Sequence, residues 1–331
     1  MWMAPAVLAL NGLSFTLSAL LGLATWFGIQ VLRHWDLRSG SAFQLTLERR
    51  TYLISTLVTW CFFSEILGLL LFVYNADQLA PQFVGAMCAT GVLNAAPGGW
   101  QTLFLKLLVS LLGAIWLLLN RLDQQAKDYP LIRVKYAFLA MIFPFSLWET
   151  LSQWQFFQGL HPDLITSCCG TLFTPAGRGF AAQVSSLDPR LSLIALGISG
   201  LLLFATGGYF LWKGKGAGFF ALSAGAAGAI ALAALVSSIA LWVYENPHHH
   251  CPFCLLQSGY HYIGYGFYLS WFLGLTFALA AGFLHRWRKV PSLAAIVPRE
   301  SRFLTWIALA GFGAFYGLSA YAGFHSHLML L

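Results

Sequence analysis

Apolar residues run along this chain in long blocks broken by short polar stretches. A bilayer core about 30 Å thick takes about 20 residues of helix to cross. Eight blocks reach that length, at roughly 6–32, 51–74, 101–120, 134–156, 191–212, 217–244, 262–284 and 303–323. Barrel strands would instead alternate apolar and polar residues in segments of about ten. The predicted fold is therefore all-α: a polytopic transmembrane helical bundle of about eight spans. The first block follows "MWMAP", which lacks a basic leader, and it runs longer than a cleavable signal, so it is expected to be retained.

Composition extends this picture to the whole chain. Of 331 residues, 59% are hydrophobic and 9% charged, and the mean hydropathy is +0.72. No stretch is left over for a separate soluble domain, so residues 1–331 read as a single integral membrane domain.

Charge then orients the bundle. The stretches 33–50, 121–135, 213–216 and 285–302 hold 15 of the 18 lysines and arginines, whereas 75–100, 157–190 and 245–261 hold only Arg178 and Arg190. Basic loops stay on the cytoplasmic side, so both termini are expected to face outward. The expected location is a bacterial plasma (inner) membrane with the base-poor loops in the periplasm. The net charge of +7 follows from this topology and implies no nucleic acid.

The candidate chemistry collects on that outward side. Cys88, the vicinal pair Cys168 and Cys169, and the CxxC of Cys251 and Cys254 all fall in outward loops, while Cys61 lies within a span. An oxidising compartment allows disulfides there, and Cys88 is a candidate partner for one of the vicinal pair. The stretch "HHHCPFC" also supplies His248, His249 and His250, with His261 seven residues beyond Cys254. Cysteines separated by Pro-Phe support a reactive thiolate, and a neighbouring imidazolium would lower its pKa. The same residues form a ligand set for a soft metal such as copper or zinc. Adjacent cysteines such as Cys168 and Cys169 close only a strained, labile ring, which suits exchange better than stapling.

Three ionisable residues interrupt the spans. At 1.5 Å per residue, Glu65 lies roughly 13 Å below Tyr74, and Lys106 roughly 9 Å below Trp100; Glu149 sits in the outward half of the fourth span. Ionised groups facing lipid are costly, so the three are expected to turn inward at one level and pair, with Asn11, Gln153 and Cys61 near them.

The leading expectation is thiol-disulfide or electron transfer, as in a membrane thiol-disulfide oxidoreductase. Cys251 or Cys254 would exchange with a periplasmic thiol protein, and Cys168 and Cys169 would relay electrons to a membrane acceptor such as quinone. The alternatives are a permease or assembly factor for copper or zinc, and a non-catalytic anchor held to other membrane subunits, its loops stapled by disulfides. Haem ranks below these, because no pair of mid-span histidines faces across the bundle and Leu255 follows the CxxC. With no Walker A sequence, GxSxG, HExxH or dinucleotide fingerprint, neither ATP hydrolysis nor nicotinamide chemistry is indicated. The CxxC between spans resembles that of membrane disulfide oxidoreductases, and the vicinal pair resembles that of small mercury-uptake proteins. Each likeness is confined to those residues.

Overall fold

The computed structural model describes residues 3–36, 39, 41–126, 128–161, 166, 186–328 and 330. The vicinal pair Cys168 and Cys169 lies outside them. The described residues are 83% helical, and no strand occurs among them, which makes the fold an all-α bundle.

The long helices are α1 (Pro5–His34), α2 (Ala42–Leu79), α4 (Gly99–Gln124), α5 (Ile132–Gln158), α6 (Pro189–Lys213), α7 (Ala217–Ala234), α9 (Ile263–Leu284) and α10 (Ile296–His325). Short helices α3 (Ala89–Ala95) and α8 (Ala240–Tyr244) stand beside them, and a π-helical turn, Leu235–Ile239, joins α7 to α8. Among the described residues, seven segments are long and apolar enough to cross a membrane: α1, α2, α4, α6, the joined α7–α8 segment, α9 and α10. The protein is thus a multi-pass membrane protein. Helix α5 has the length, at 27 residues, but spends much of its hydropathy on Ser146, Glu149, Thr150, Ser152 and Gln153. All five are buried against other helices instead of facing lipid.

Local chemistry sets the helix ends. Pro5 and Pro189 open their helices, where no amide partner is needed. Ser41 caps α2 by accepting from the Gln44 amide, and Asp188 caps α6 by accepting from Arg190 N. The α6 to α7 turn uses Gly214 and Gly216 at φ of 65° and 87°, which side chains rarely tolerate.

The chain divides into two compact units: Met1–Val84, Val92–Thr166 and Val290–Leu293 in one, and Gly85–Gly91, Ser167–Lys289 and Ala294–Leu331 in the other. In the first, α1, α2, α4 and α5 enclose a cluster that includes Leu21, Val58, Phe62, Val109, Trp116, Tyr136 and Leu139. Phe62 and Trp116 pack with ring centroids 5.4 Å apart. Hydroxyls cross-link the helices: Ser18 to Thr150 at 2.6 Å, and Asn120 Nδ2 to Thr59 Oγ1 at 3.3 Å. In the second unit, α9 and α10 approach until their backbones touch. A Cβ on Gly311 would stand 2.7 Å from Gly274 N, a spacing that only glycine permits. Trp271 Nε1 donates to the Gly228 carbonyl at 2.8 Å and fixes α9 against α7.

Lys135 requires a correction. The hydropathy pattern leaves it in a basic loop ending at residue 135, but α5 begins at Ile132 and Lys135 is buried in its first turn. Its ammonium donates to Asp123 Oδ2 and to Asn120 Oδ1, each at 3.0 Å, while Asp123 Oδ1 accepts from Leu131 N at 2.8 Å. Hydropathy counts each charge alone, so it misses a base and an acid that neutralise one another across a hairpin.

Candidate metal centre

The polypeptide between α8 and α9 is held in place residue by residue. Helix α8 ends where Glu245 takes a left-handed conformation, φ 50°. Asn246 then makes a turn, its side chain accepting from His248 N at 3.0 Å and its carbonyl from His249 N at 3.3 Å. The π-turn leaves the Val236 carbonyl directed at the loop, and His250 Nδ1 lies 3.0 Å from it. A carbonyl only accepts, so Nδ1 carries the proton of this ring. Burial, helped by neighbouring His248 and His249, holds His250 below the ordinary imidazole range against the opposing pull of that carbonyl.

Two tyrosines anchor the cysteine stretch by its backbone. Tyr244 Oη donates to the Cys251 carbonyl at 2.5 Å, and Tyr268 Oη donates to the Pro252 carbonyl at 2.7 Å. A single 3₁₀ turn, Cys254–Leu256, follows, with Gln257 N donating back to the Cys254 carbonyl at 3.1 Å. The Gln257 side chain donates to the Met87 carbonyl at 3.2 Å, which fixes the segment that carries Cys88.

The outcome is a convergence of three sulfurs. The Sγ atoms of Cys88, Cys251 and Cys254 all lie within 4.8 Å of one another, and all three residues are buried, at 0%, 0% and 5% exposure. Cys88 and Cys251 are 3.3 Å apart, a thiol contact well beyond the ~2.05 Å of a sulfur-sulfur bond. Thr90 Oγ1 lies 3.2 Å from Cys251 Sγ, and its hydroxyl donates when that sulfur is a thiolate. A cation bonded to three sulfurs at about 2.3 Å each spaces them about 4 Å apart, which the cluster accommodates.

The histidines lie apart from this group among the described residues. His248 and His261 are exposed. His249 stacks on Tyr244 with centroids 4.1 Å apart, beside Tyr260. His250 turns its Nδ1 to Val236, and the metal-capable group contains only sulfur. Thr90, Tyr244 and Tyr268 gave no signal in the sequence, because their roles depend on folding across residues 87 to 268. Cys61 is buried in α2, away from these thiols in sequence and in the other unit.

The first unit has its own polar centre. Lys106 Nζ lies 2.6 Å from Glu149 Oε1 and 3.7 Å from Glu65 Oε1, and all three side chains are at most 2% exposed. Lys106 also reaches Ser14 Oγ at 3.4 Å, Ser14 donates to Gln153 Oε1 at 3.3 Å, and Gln153 Nε2 donates to Asn11 Oδ1 at 3.0 Å.

Comparison of the chain with family models, curated proteins and solved structures yields no match.

Proposed function

We propose that this membrane protein binds a soft, thiophilic cation of the Cu(I) type through Cys88, Cys251 and Cys254, on the periplasmic face of a bacterial plasma membrane. The observation that carries the reading is the convergence of three buried sulfurs within 4.8 Å. Thiolates select soft ions, and a three-sulfur set matches the low coordination number Cu(I) accepts. The asymmetry of basic residues supports the outward side. Capture and handing-on of such an ion is the role of a metal permease or an assembly factor.

A second reading, thiol-disulfide exchange, is favoured by the 3.3 Å approach of Cys88 and Cys251, from which oxidation would leave Cys254 as the resolving thiol. Burial counts against it, since exchange with a protein partner needs an attackable sulfur.

The test is anaerobic loading of the reduced, purified chain with Cu(I), competed by a bicinchoninate chelator. The metal reading expects one tightly held copper per chain, lost in Cys88→Ser, Cys251→Ser and Cys254→Ser alike. A chain that keeps no copper after gel filtration, yet cycles between dithiol and disulfide at a reproducible potential, supports exchange and overturns the metal reading.

A further inference from the structure

The four-helix unit holds more acid than base at its buried polar centre. Glu65 comes from α2, Lys106 from α4 and Glu149 from α5, and their exposures are between 0% and 1%. Fully ionised, two carboxylates and one ammonium leave a net charge of −1. An uncompensated charge in such surroundings costs several kcal/mol. Among the described residues the neighbours do not compensate it: α1 contributes Asn11, Ser14 and Ser18, α4 adds Ser110, α5 adds Thr150 and Gln153, and α2 adds the thiol of Cys61 one turn before Glu65. None of these carries positive charge.

Hydrogen bonding points the same way. Glu65 Oε1 and Glu149 Oε2 are buried without a hydrogen-bond partner, although buried carboxylate oxygens are ordinarily answered. Both carboxyls stand against the same ammonium, Glu149 Oε1 at 2.6 Å and Glu65 Oε1 at 3.7 Å from Lys106 Nζ. An O–H on one, donated to the other, would supply the absent partner and cancel the surplus charge together. By contrast, Lys135 and Asp123 are matched one to one, and both Asp123 oxygens are answered.

We propose that Glu65 and Glu149 hold one exchangeable proton between them beside Lys106, making the four-helix unit an intramembrane proton-binding site. The row Lys106, Ser14, Gln153, Asn11 carries polar groups from this centre toward the N-terminal end of α1, where Asn11 lies six residues after Pro5, about 9 Å along the helix. That row marks the side from which the proton is exchanged. The site is independent of the thiol cluster and stands whether or not copper binds there.

The test is infrared spectroscopy of the full chain in lipid nanodiscs at neutral pH, reading the carbonyl stretch of protonated carboxyl groups and its shift in deuterated water. The wild type is expected to show one such band. Glu65→Gln and Glu149→Gln should each abolish it, because the remaining carboxylate then pairs with Lys106 as a neutral ion pair. The carboxamide has the shape of the protonated acid, so these variants retain the packing. Lys106→Met should double the band, since both acids would then be protonated. No band in the wild type, or a band that survives in both glutamine variants, would overturn the proposal, whatever Lys106→Met does to folding.

Discussion

The two units bury polar chemistry in opposite ways. In the first, unlike groups answer each other: Lys135 with Asp123, and Lys106 with Glu149 and Glu65, all projected from regular helices. In the second, three like groups converge, and sulfurs satisfy one another poorly because S–H is a weak donor and sulfur a weak acceptor. A balanced set of opposite charges, as in Lys135 and Asp123, is closed on itself and needs no ligand. A set of like donors presented by irregular backbone is not closed in this way, and on the proposed reading the three sulfurs would select a soft cation. Surplus decides within the first unit too: the balanced pair is structural, whereas the triad with one carboxyl too many has room for a proton.

This contrast can be broken at four points. The largest effect is expected where a balanced pair loses one member. Asp123→Ala should leave Lys135 buried and unpaired, at about 3–5 kcal/mol of stability in reversible unfolding, and Lys135→Met combined with Asp123→Leu should recover most of it. Cys251→Ser should lower Cu(I) affinity at least as much as the roughly 100-fold that loss of a mere supporting group costs, about 2.7 kcal/mol, in chelator competition. Tyr244→Phe removes the hydroxyl that holds the Cys251 carbonyl and should weaken copper binding about tenfold with the three sulfurs intact. The smallest effect belongs to Glu65→Gln, which replaces a shared proton by a neutral amide and should change unfolding stability by less than about 1 kcal/mol. A loss in Glu65→Gln as large as that in Asp123→Ala would erase the distinction between surplus and balance.

Much of the helical architecture was legible because lipid imposes a single local rule: about twenty apolar residues make a span. Glu65, Lys106 and Glu149 stood out as breaches of that rule, and depth along their helices placed them at one level. Lys135 was not legible, because it sits at a span's edge where a base is ordinary, and only the fold shows Asp123 beside it. The CxxC was visible as a motif, but its third sulfur was not. Cys88 precedes Cys251 by 163 residues, and nothing local distinguishes a disulfide partner from a ligand. The histidine run pointed to imidazole ligands, whereas His249 is taken up by Tyr244 and His250 by the carbonyl that the π-turn frees. That turn interrupts a continuous apolar block and has no signature in hydropathy.

On the proposed reading, Cys88, Cys251 and Cys254 together hold one soft cation. X-ray absorption at the copper edge of the Cu(I)-loaded chain tests it directly, by counting the sulfurs around the metal. A sulfur-only shell at about 2.3 Å that loses a sulfur in Cys88→Ser is expected. A shell of nitrogen or oxygen, or a sulfur shell unchanged when Cys88 is replaced, would contradict it.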